Sequence, residues 1–390
     1  MPSVRSFYSV GAIGLYFLFF MISVPITKVL VVIYCHSIKA GGGAERRFAR
    51  VIQYLGSRKI STILFVPSNL FSSFRSYDLL DASQEVIKIP GRGILCILHF
   101  NASLIFRTLF LRQFDVVHNV LIQKSLLPYY IFLYLFKRLG FNRPRVINTV
   151  ANYPLAYGLP SPVENRLLFS LYLQCADHID SLYELKKTNV QCPVTITPCS
   201  FTDYSLFRPG KKENHVVFAG RMEVSKNPLL FVLAVAQVQR LCPSSILKHW
   251  RFSIYGNGSL SGEVNSLVSS LSLHNFTFSK CADLRTILPT SRVFLSLQQY
   301  ENYPSQSLME AISCHNIIIA TNVGLTYKLL QPESSILVSP SLDDVYKALL
   351  DVIMGNLKIS DEQLHASADC LQRFHTVETF GNYLMQLWQN

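Results

Sequence analysis

Charge is scarce in this chain. Of its 390 residues only 15% are charged while 49% are hydrophobic. That is apolar for a freely soluble enzyme, yet short of a polytopic membrane protein. Acidic residues are the rarer kind, 24 against 36 lysines and arginines, so the formal net charge is +12. A surplus of that sign makes either a solvated basic surface or a face for anionic lipid headgroups or a phosphate-bearing substrate. No nucleic-acid recognition motif accompanies it, so nucleic acid is set aside as a partner. The nine cysteines include no C-x-x-C pair and no Cys/His zinc spacing. They read as small buried apolar residues of a reducing compartment, and no structural metal is expected. An Asp-x-Asp between strands that would bind a divalent ion is also missing.

Charge is absent altogether from residues 6–27, SFYSVGAIGLYFLFFMISVPIT. At 22 residues this run is long enough to cross a bilayer as a helix. The basic residues after it (Lys28, Lys39, Arg46, Arg47) outnumber those before, which would leave the body of the protein on the cytoplasmic side. No small-residue cleavage pattern marks a removed signal. Two other readings stay open: an apolar surface helix, and an over-extended start with Met21 as the true first residue.

From residue 29 onward, strand and helix alternate. Apolar or β-branched runs at 29–34, 60–66, 85–89, 115–119, 145–150, 177–179 and 194–196 predict strands. Residues 100–112 and 126–139 predict helices between them. Continuous apolar strands joined by helices belong to parallel α/β domains. Pro209, Gly210 and the charged run 211–213 then mark a boundary. The pattern resumes with strands at 215–220, 252–255, 293–297 and 316–320. The expected division is an apolar segment (1–28), a first Rossmann-like domain (29–208), a second (209–375), and a C-terminal helix (376–390) crossing back to the first. The helix at 126–139 is apolar on nearly all sides. It is either a core helix or a face in the lipid interface with Lys137 and Arg138 at the headgroups.

Residues 293–321 carry the most chemistry. A strand, a polar turn, a helix holding Glu310 and a second strand form a parallel βαβ unit. Ligands of such sheets sit at the carboxyl ends of the strands, so the loop 298–307 should face a pocket. Pro304 suits the helix start, and Ser305 or Ser307 suits its cap. The freed backbone N–H groups would point at an anion. Glu310 lies about one turn inside, within reach of hydroxyls beside that anion. Upstream, the strand HVVFAG is followed by Arg221 and Lys226, then by a helix opened at Asn227 and Pro228. Two cations at that spacing can clamp a diphosphate from one side. Gly41, Gly42 and Gly43 likewise open the first helix of the first domain, where bare backbone lets a phosphate or sugar approach. An anion cradle beside an acceptor for sugar hydroxyls has the shape of a nucleotide-sugar site.

The phrase ENYPSQSLMEA resembles the signature loop of glycosyltransferase family 4, retaining enzymes of the GT-B fold, here of the bacterial surface-polysaccharide type. The resemblance implies two Rossmann-like domains whose parallel sheets face each other across a cleft. The family pattern has two glutamates separated by seven residues. Glu310 carries over as the ribose-binding carboxylate. Eight residues earlier stands Asn302, with Glu301 one place too early, so contact with the transferred sugar falls to Asn302 or Glu301. Tyr303, Pro304, Ser305, Gln306 and Ser307 complete the donor loop. FAGRMEVSKNP resembles the family's G-R-x…K loop and implies that Gly220, Arg221 and Lys226 hold the donor phosphates. The same comparison implies that Gly256 and Asn257 line the nucleotide pocket, with Cys281 near the base. Gly41, Gly42 and Gly43 then form an acceptor or phosphate loop. His118, after Asp-Val-Val, carries over as a catalytic residue at the cleft. A second family histidine is replaced, leaving Ala151 and Asn152, of which Asn152 could orient the acceptor.

The function so implied is a retaining transfer of sugar from a UDP- or GDP-linked donor to a glycan or polyprenyl-linked acceptor in cell-surface polysaccharide synthesis. Cations replace a metal, and no cofactor is expected. The implied location is the cytoplasmic face of the inner membrane, peripheral or held by one N-terminal anchor, against an anionic membrane surface. The rivals are a sugar-nucleotide epimerase of the same fold and a non-catalytic membrane-bound scaffold.

Overall fold

The structure is a computed structural model. It describes residues 28–34, 43–76, 85–89, 93–111, 113–151, 156–157, 166–186, 189–280, 283–301 and 303–389. Gly41, Gly42, Asn152, Cys281, Asn302 and the uncharged run 6–27 lie outside the described residues.

The described strands form two sheets, and every pairing in them is parallel. In the first, β1 (Val29–Val32), β2 (Thr62–Pro67), β3 (Glu85–Ile89), β4 (Val116–Asn119), β5 (Arg145–Val150), β6 (His178–Ser181) and β7 (Val194–Ile196) lie in the order β3-β2-β1-β4-β5-β6-β7. In the second, β8 (Glu213–Ala219), β9 (Arg251–Tyr255), β10 (Phe276–Ser279), β11 (Ser291–Ser296), β12 (Ile317–Thr321) and β13 (Ser335–Val338) lie in the order β10-β9-β8-β11-β12-β13. Each order reverses once, beside the first strand of its half. In open parallel sheets that reversal is where ligands bind, outside the carboxyl ends of the strands. The two switch points therefore fall between β1 and β4 and between β8 and β11.

Parallel strands have to be covered on both faces, which is why they read as unbroken apolar runs. β1 shows this residue by residue. Leu30 and Val32 enter one core cluster, while Val29 and Val31 enter the cluster on the opposite face. The second sheet divides in the same way, with Val216 and Phe218 on one side and Val217 and Ala219 on the other.

The helix after β3 begins at Ile94, six residues ahead of the periodicity-based start at residue 100. Gly93, at φ 82°, turns the chain into it. It runs to Ile105 and continues as a five-residue π turn, Phe106–Phe110. The apolar helix after β4 spans Leu127–Arg138. Its Lys137 amine donates to the Ala176 carbonyl and lies near Asp177, so it points back onto the domain rather than outward.

The last helix, Val377–Gln389, packs on the first sheet through Phe380, Leu384, Leu387 and Trp388. Gly381 lets it approach the helix Gly43–Ser57, since a Cβ there would meet the Tyr54 ring at 2.8 Å. Arg145 Nη1 donates to the Leu387 carbonyl (2.9 Å) near the helix end. No helix among the described residues is long and apolar enough to cross a membrane.

Candidate active site

The second switch point is built by three loops that tie one another in place. After β8, residues 220–227 carry Gly220, Arg221 and Lys226. The turn after β9 holds this loop from one side: Gly220 N–H donates to Tyr255 O, Met222 N–H to Asn257 O, and Leu260 N–H to Met222 O. The Glu223 carboxylate accepts from the backbone N–H and hydroxyl of Ser259. The loop after β11 holds it from the other side, with Gln299 N–H donating to Ser225 O at 3.1 Å. Glycine is required where the backbones touch. A Cβ on Gly256, at φ 143°, would sit 1.8 Å from Gly220 O, and one on Gly258 would sit 2.4 Å from Met222 O. Asn257 is exposed, and its side-chain oxygen accepts from Ser261.

Between these loops lies a small hollow. Gly220 and Lys226 line one side; Ser296, Gln298 and Ser307 line the other. Lys226 is tucked into it, and burial, followed by the nearby charge of Arg221, brings its amine down to about 8. Arg221 itself is exposed. The hollow thus holds an ammonium group that burial disfavours, and the exposed Arg221 follows Gly220 in the same loop. A deprotonatable amine in that position is stabilised when an anion enters. A shallower recess among Glu213, Lys248, Trp250 and Arg251 sits at the amino ends of β8 and β9, far from the strand ends where chemistry collects.

The helix of the signature segment runs from Gln306 to Ser313, so Pro304 precedes it by two residues. Ser305 is its N-cap in extended conformation, and its side chain makes no capping bond. The first N–H groups of the helix are therefore not taken up by a serine cap. Ser307 reaches the hollow, and Glu310 lies three residues further on the same helix face, buried.

Glu301 does something the sequence did not disclose. Its Oε1 accepts from Tyr303 N–H and from Leu325 N–H, both at 2.9 Å. The carboxylate packs so tightly on Gly324 (φ 53°) that a Cβ there would lie 2.3 Å from Oε2. Of the two residues offered for contact with the transferred sugar, Glu301 is thus a brace between the signature loop and the turn after β12. Tyr303 is buried and its hydroxyl donates to Pro198 O, which joins this loop to the segment connecting the two sheets.

His118 is placed otherwise than the cleft reading has it. It is fully buried on β4, under the last helix. Its Nδ1 accepts from Trp388 Nε1–H (3.1 Å), so Nε2 carries the proton and donates to Thr149 Oγ1 (2.7 Å). Thr149 passes a hydrogen bond to Asp180 (2.9 Å), which also accepts from Thr197 and Tyr383. Burial holds the imidazole down to about 4. With both nitrogens used inside the core, His118 is a neutral structural link and presents nothing to the cleft.

Gly43 begins the first helix, and Glu45 is buried on it. The neighbour that sequence reading passed over is Arg47. It is buried, donates from Nη1 to Ser200 Oγ (3.0 Å) and lies over the Phe380 ring. Burial lowers its pKa, while the nearby Asp180 works in the opposite direction. Among the described residues, no group of three His, Cys, Asp or Glu side chains is arranged to hold a metal ion.

Comparison with known proteins agrees with this geometry. Residues 213–354 match the family model of Glycosyl transferases group 1. One curated relative is an alpha-1,4-N-acetyl-D-galactosaminyltransferase of Campylobacter jejuni, named for the acceptor GalNAc-alpha-(1->4)-GalNAc-alpha-(1->3)-diNAcBac-PP-undecaprenol. It is 27% identical over 111 residues, which are 28% of this chain and 30% of the relative. The chain therefore aligns with less than a third of that protein's length. Among solved structures, HepE of Anabaena in complex with UDP and glucose superposes with a TM-score of 0.68 at 14% identity, covering 93% of this chain and 99% of that one. Sucrose-phosphate synthase from Thermosynechococcus elongatus gives 0.69 at 15% identity, covering 93% and 98%. The fold is GT-B, and the match to glycosyl transferases group 1 falls on residues 213–354, within the second half. By class, then, residues 213–354 resemble the glycosyl transferases, and the curated relative that aligns with this chain is a glycosyltransferase.

Proposed function

We propose that this chain is a retaining glycosyltransferase of family 4 that moves a sugar from a UDP- or GDP-linked donor onto a lipid-linked glycan during assembly of a cell-surface polysaccharide. One observation carries the donor half of this reading. Lys226, whose amine burial holds down to about 8, and Ser307, in the first turn of the helix Gln306–Ser313, line one hollow at the switch point. Breaking the bond between sugar and diphosphate builds negative charge on the leaving phosphate. Arg221, Lys226 and the helix N-terminus stabilise it as preorganised positive groups. Two side-chain cations do there what a divalent ion would do, so the transfer is proposed to need no metal. Glu310 binds the ribose hydroxyls, and closure of the two domains excludes the water that would hydrolyse the donor.

The acceptor is drawn from the relative's printed acceptor, which is undecaprenol-linked, together with the basic, apolar character of this chain. The reaction is placed at the cytoplasmic membrane face, with the protein peripheral or held by residues 6–27. Incubating membranes with labelled UDP- and GDP-sugars tests this. Label moving into an organic-extractable lipid supports the reading, and transfer to soluble sugars alone refutes the lipid acceptor.

A further inference from the structure

The first domain carries an apolar face that its own core leaves uncovered. On the helix Ile94–Ile105 and the π turn that continues it, Leu95 is 77% exposed, Phe110 is 58%, and Leu98 and Phe106 are 55% each. The neighbouring helix Leu127–Arg138 adds Ile131, Phe132 and Leu135, and Leu139 and Phe141 follow it. The two helices are one unit. Asn101, buried between them, donates to Ile97 O and Ser125 O and accepts from Tyr129 N–H. Outside, the rings continue from one helix to the other: Phe106 stacks on Phe110, Phe110 meets Phe136 edge-on at 6.0 Å, and Phe136 meets Phe141. Scattered exposed leucines need no explanation, but a contiguous patch of aromatic and aliphatic side chains marks a contact surface.

The charge around the face selects its occupant. Between Glu85 and Glu164 there are nine lysines and arginines and a single acidic residue, Asp115. Neither helix holds an Asp or Glu; Arg107 and the exposed Arg138 sit among the apolar side chains. The uncharged run 6–27 reaches the domain at Lys28. The Lys28 N–H donates to Asp115 Oδ2 (2.7 Å), and its amine lies over the Phe114 ring, three residues past Leu111 at the end of the same face. Aromatic and aliphatic side chains interspersed with cations, next to the entry of a 22-residue apolar run, fit a bilayer interface with anionic headgroups.

We infer that the face formed by residues 94–111 and 127–141 lies flat on an anionic membrane, its rings below the headgroups and its arginines among the phosphates. Both helices start just after the carboxyl ends of β3 and β4 and run back along the sheet, about 25 Å in the longer case. The face therefore extends from the cleft end of the domain to its far end. Resting on it sets the rim of the cleft at the membrane surface, which, on the transferase reading above, is where a lipid-linked acceptor would enter.

Vesicle sedimentation of the full chain tests the docking without any sugar donor. With vesicles of equal parts phosphatidylglycerol and phosphatidylethanolamine, the parent should bind, and the variant Leu95→Glu, Phe106→Glu, Phe110→Glu, Ile131→Glu should lose at least about tenfold in partition. The thermal midpoint and the binding of UDP and GDP are read on the same samples and should stay unchanged, because these side chains are already exposed. If the midpoint falls, the milder pair Phe106→Ser, Phe110→Ser is held to the same criterion. Sedimentation of the variant like the parent overturns the inference, as does a parent that ignores these vesicles. A parent dimer that the variant dissolves, with vesicle binding intact, shows the face to be a self-association surface and also overturns it. A parent that binds neither UDP nor GDP would sink the transferase reading and leave the docking result standing.

Discussion

Lys226 sets the pH behaviour of the site. Its amine is charged below about 8 and deprotonates above, unless an incoming anion holds the proton. Affinity for a nucleoside diphosphate should therefore be full at neutral pH and fall as pH rises through 8, with protons taken up on binding in that window. Titration calorimetry across pH reads both. Lys226→Arg, whose guanidinium keeps its charge, should flatten the profile. Lys226→Ala or Arg221→Ala should cost about 2–4 kcal/mol of barrier, seen as a fall in kcat/KM. Gly256→Ala is expected to disturb the same loop through the backbone, because its Cβ would overlap Gly220 O. A lowered thermal midpoint together with lost nucleotide binding checks it. That Lys226 and Ser307 share a hollow was legible from sequence, since Lys226 lies in the loop after one strand and Ser307 opens the helix that follows the loop after another. The partners of Glu301 were not legible: Leu325 and Gly324 meet it only through the folding of the next βα unit.

At the scale of elements, the last helix is the piece whose role depends most on tertiary contacts. Its apolar spacing shows that it packs, but not what it packs on. Trp388 and Tyr383 reach across the chain to His118 and Asp180. No local signal in Asp-Val-Val-His announces that this histidine will be roofed over by an indole 270 residues away, and strand-end position alone suggested the cleft. Tyr383→Phe leaves the buried Asp180 short of one donor and should destabilise by about 1–3 kcal/mol. Urea unfolding measures this, and nucleotide affinity should not change, since the network lies in the first domain's core. The alternation of strand and helix was easy to read because parallel strands are apolar on both faces. The start of the helix at Ile94 was missed because its exposed side is as apolar as its buried one, which erases the period that marks a helix in water.

The whole molecule is two parallel sheets with their switch points at the strand carboxyl ends, joined by the connecting segment and by the returning helix. Charge is shared unequally between its parts: the hollow in the second half holds Lys226, with Arg221 in the same loop, and the face on the first half combines arginines with bare aromatics. Any donor nucleotide that binds the folded form should raise the thermal midpoint, by an amount set by its concentration over its Kd, about 2.7 kcal/mol at a hundredfold excess. A panel of UDP-, GDP- and ADP-sugars read this way identifies the base. The most direct measurement is calorimetric binding of UDP and GDP, each against its bare nucleoside, to the parent chain and to the double variant Arg221→Ala, Lys226→Ala. The account predicts that one diphosphate binds the parent far more tightly than its nucleoside, and that the double variant erases the difference. Equal binding of diphosphate by both proteins, or no diphosphate binding by the parent, would contradict it.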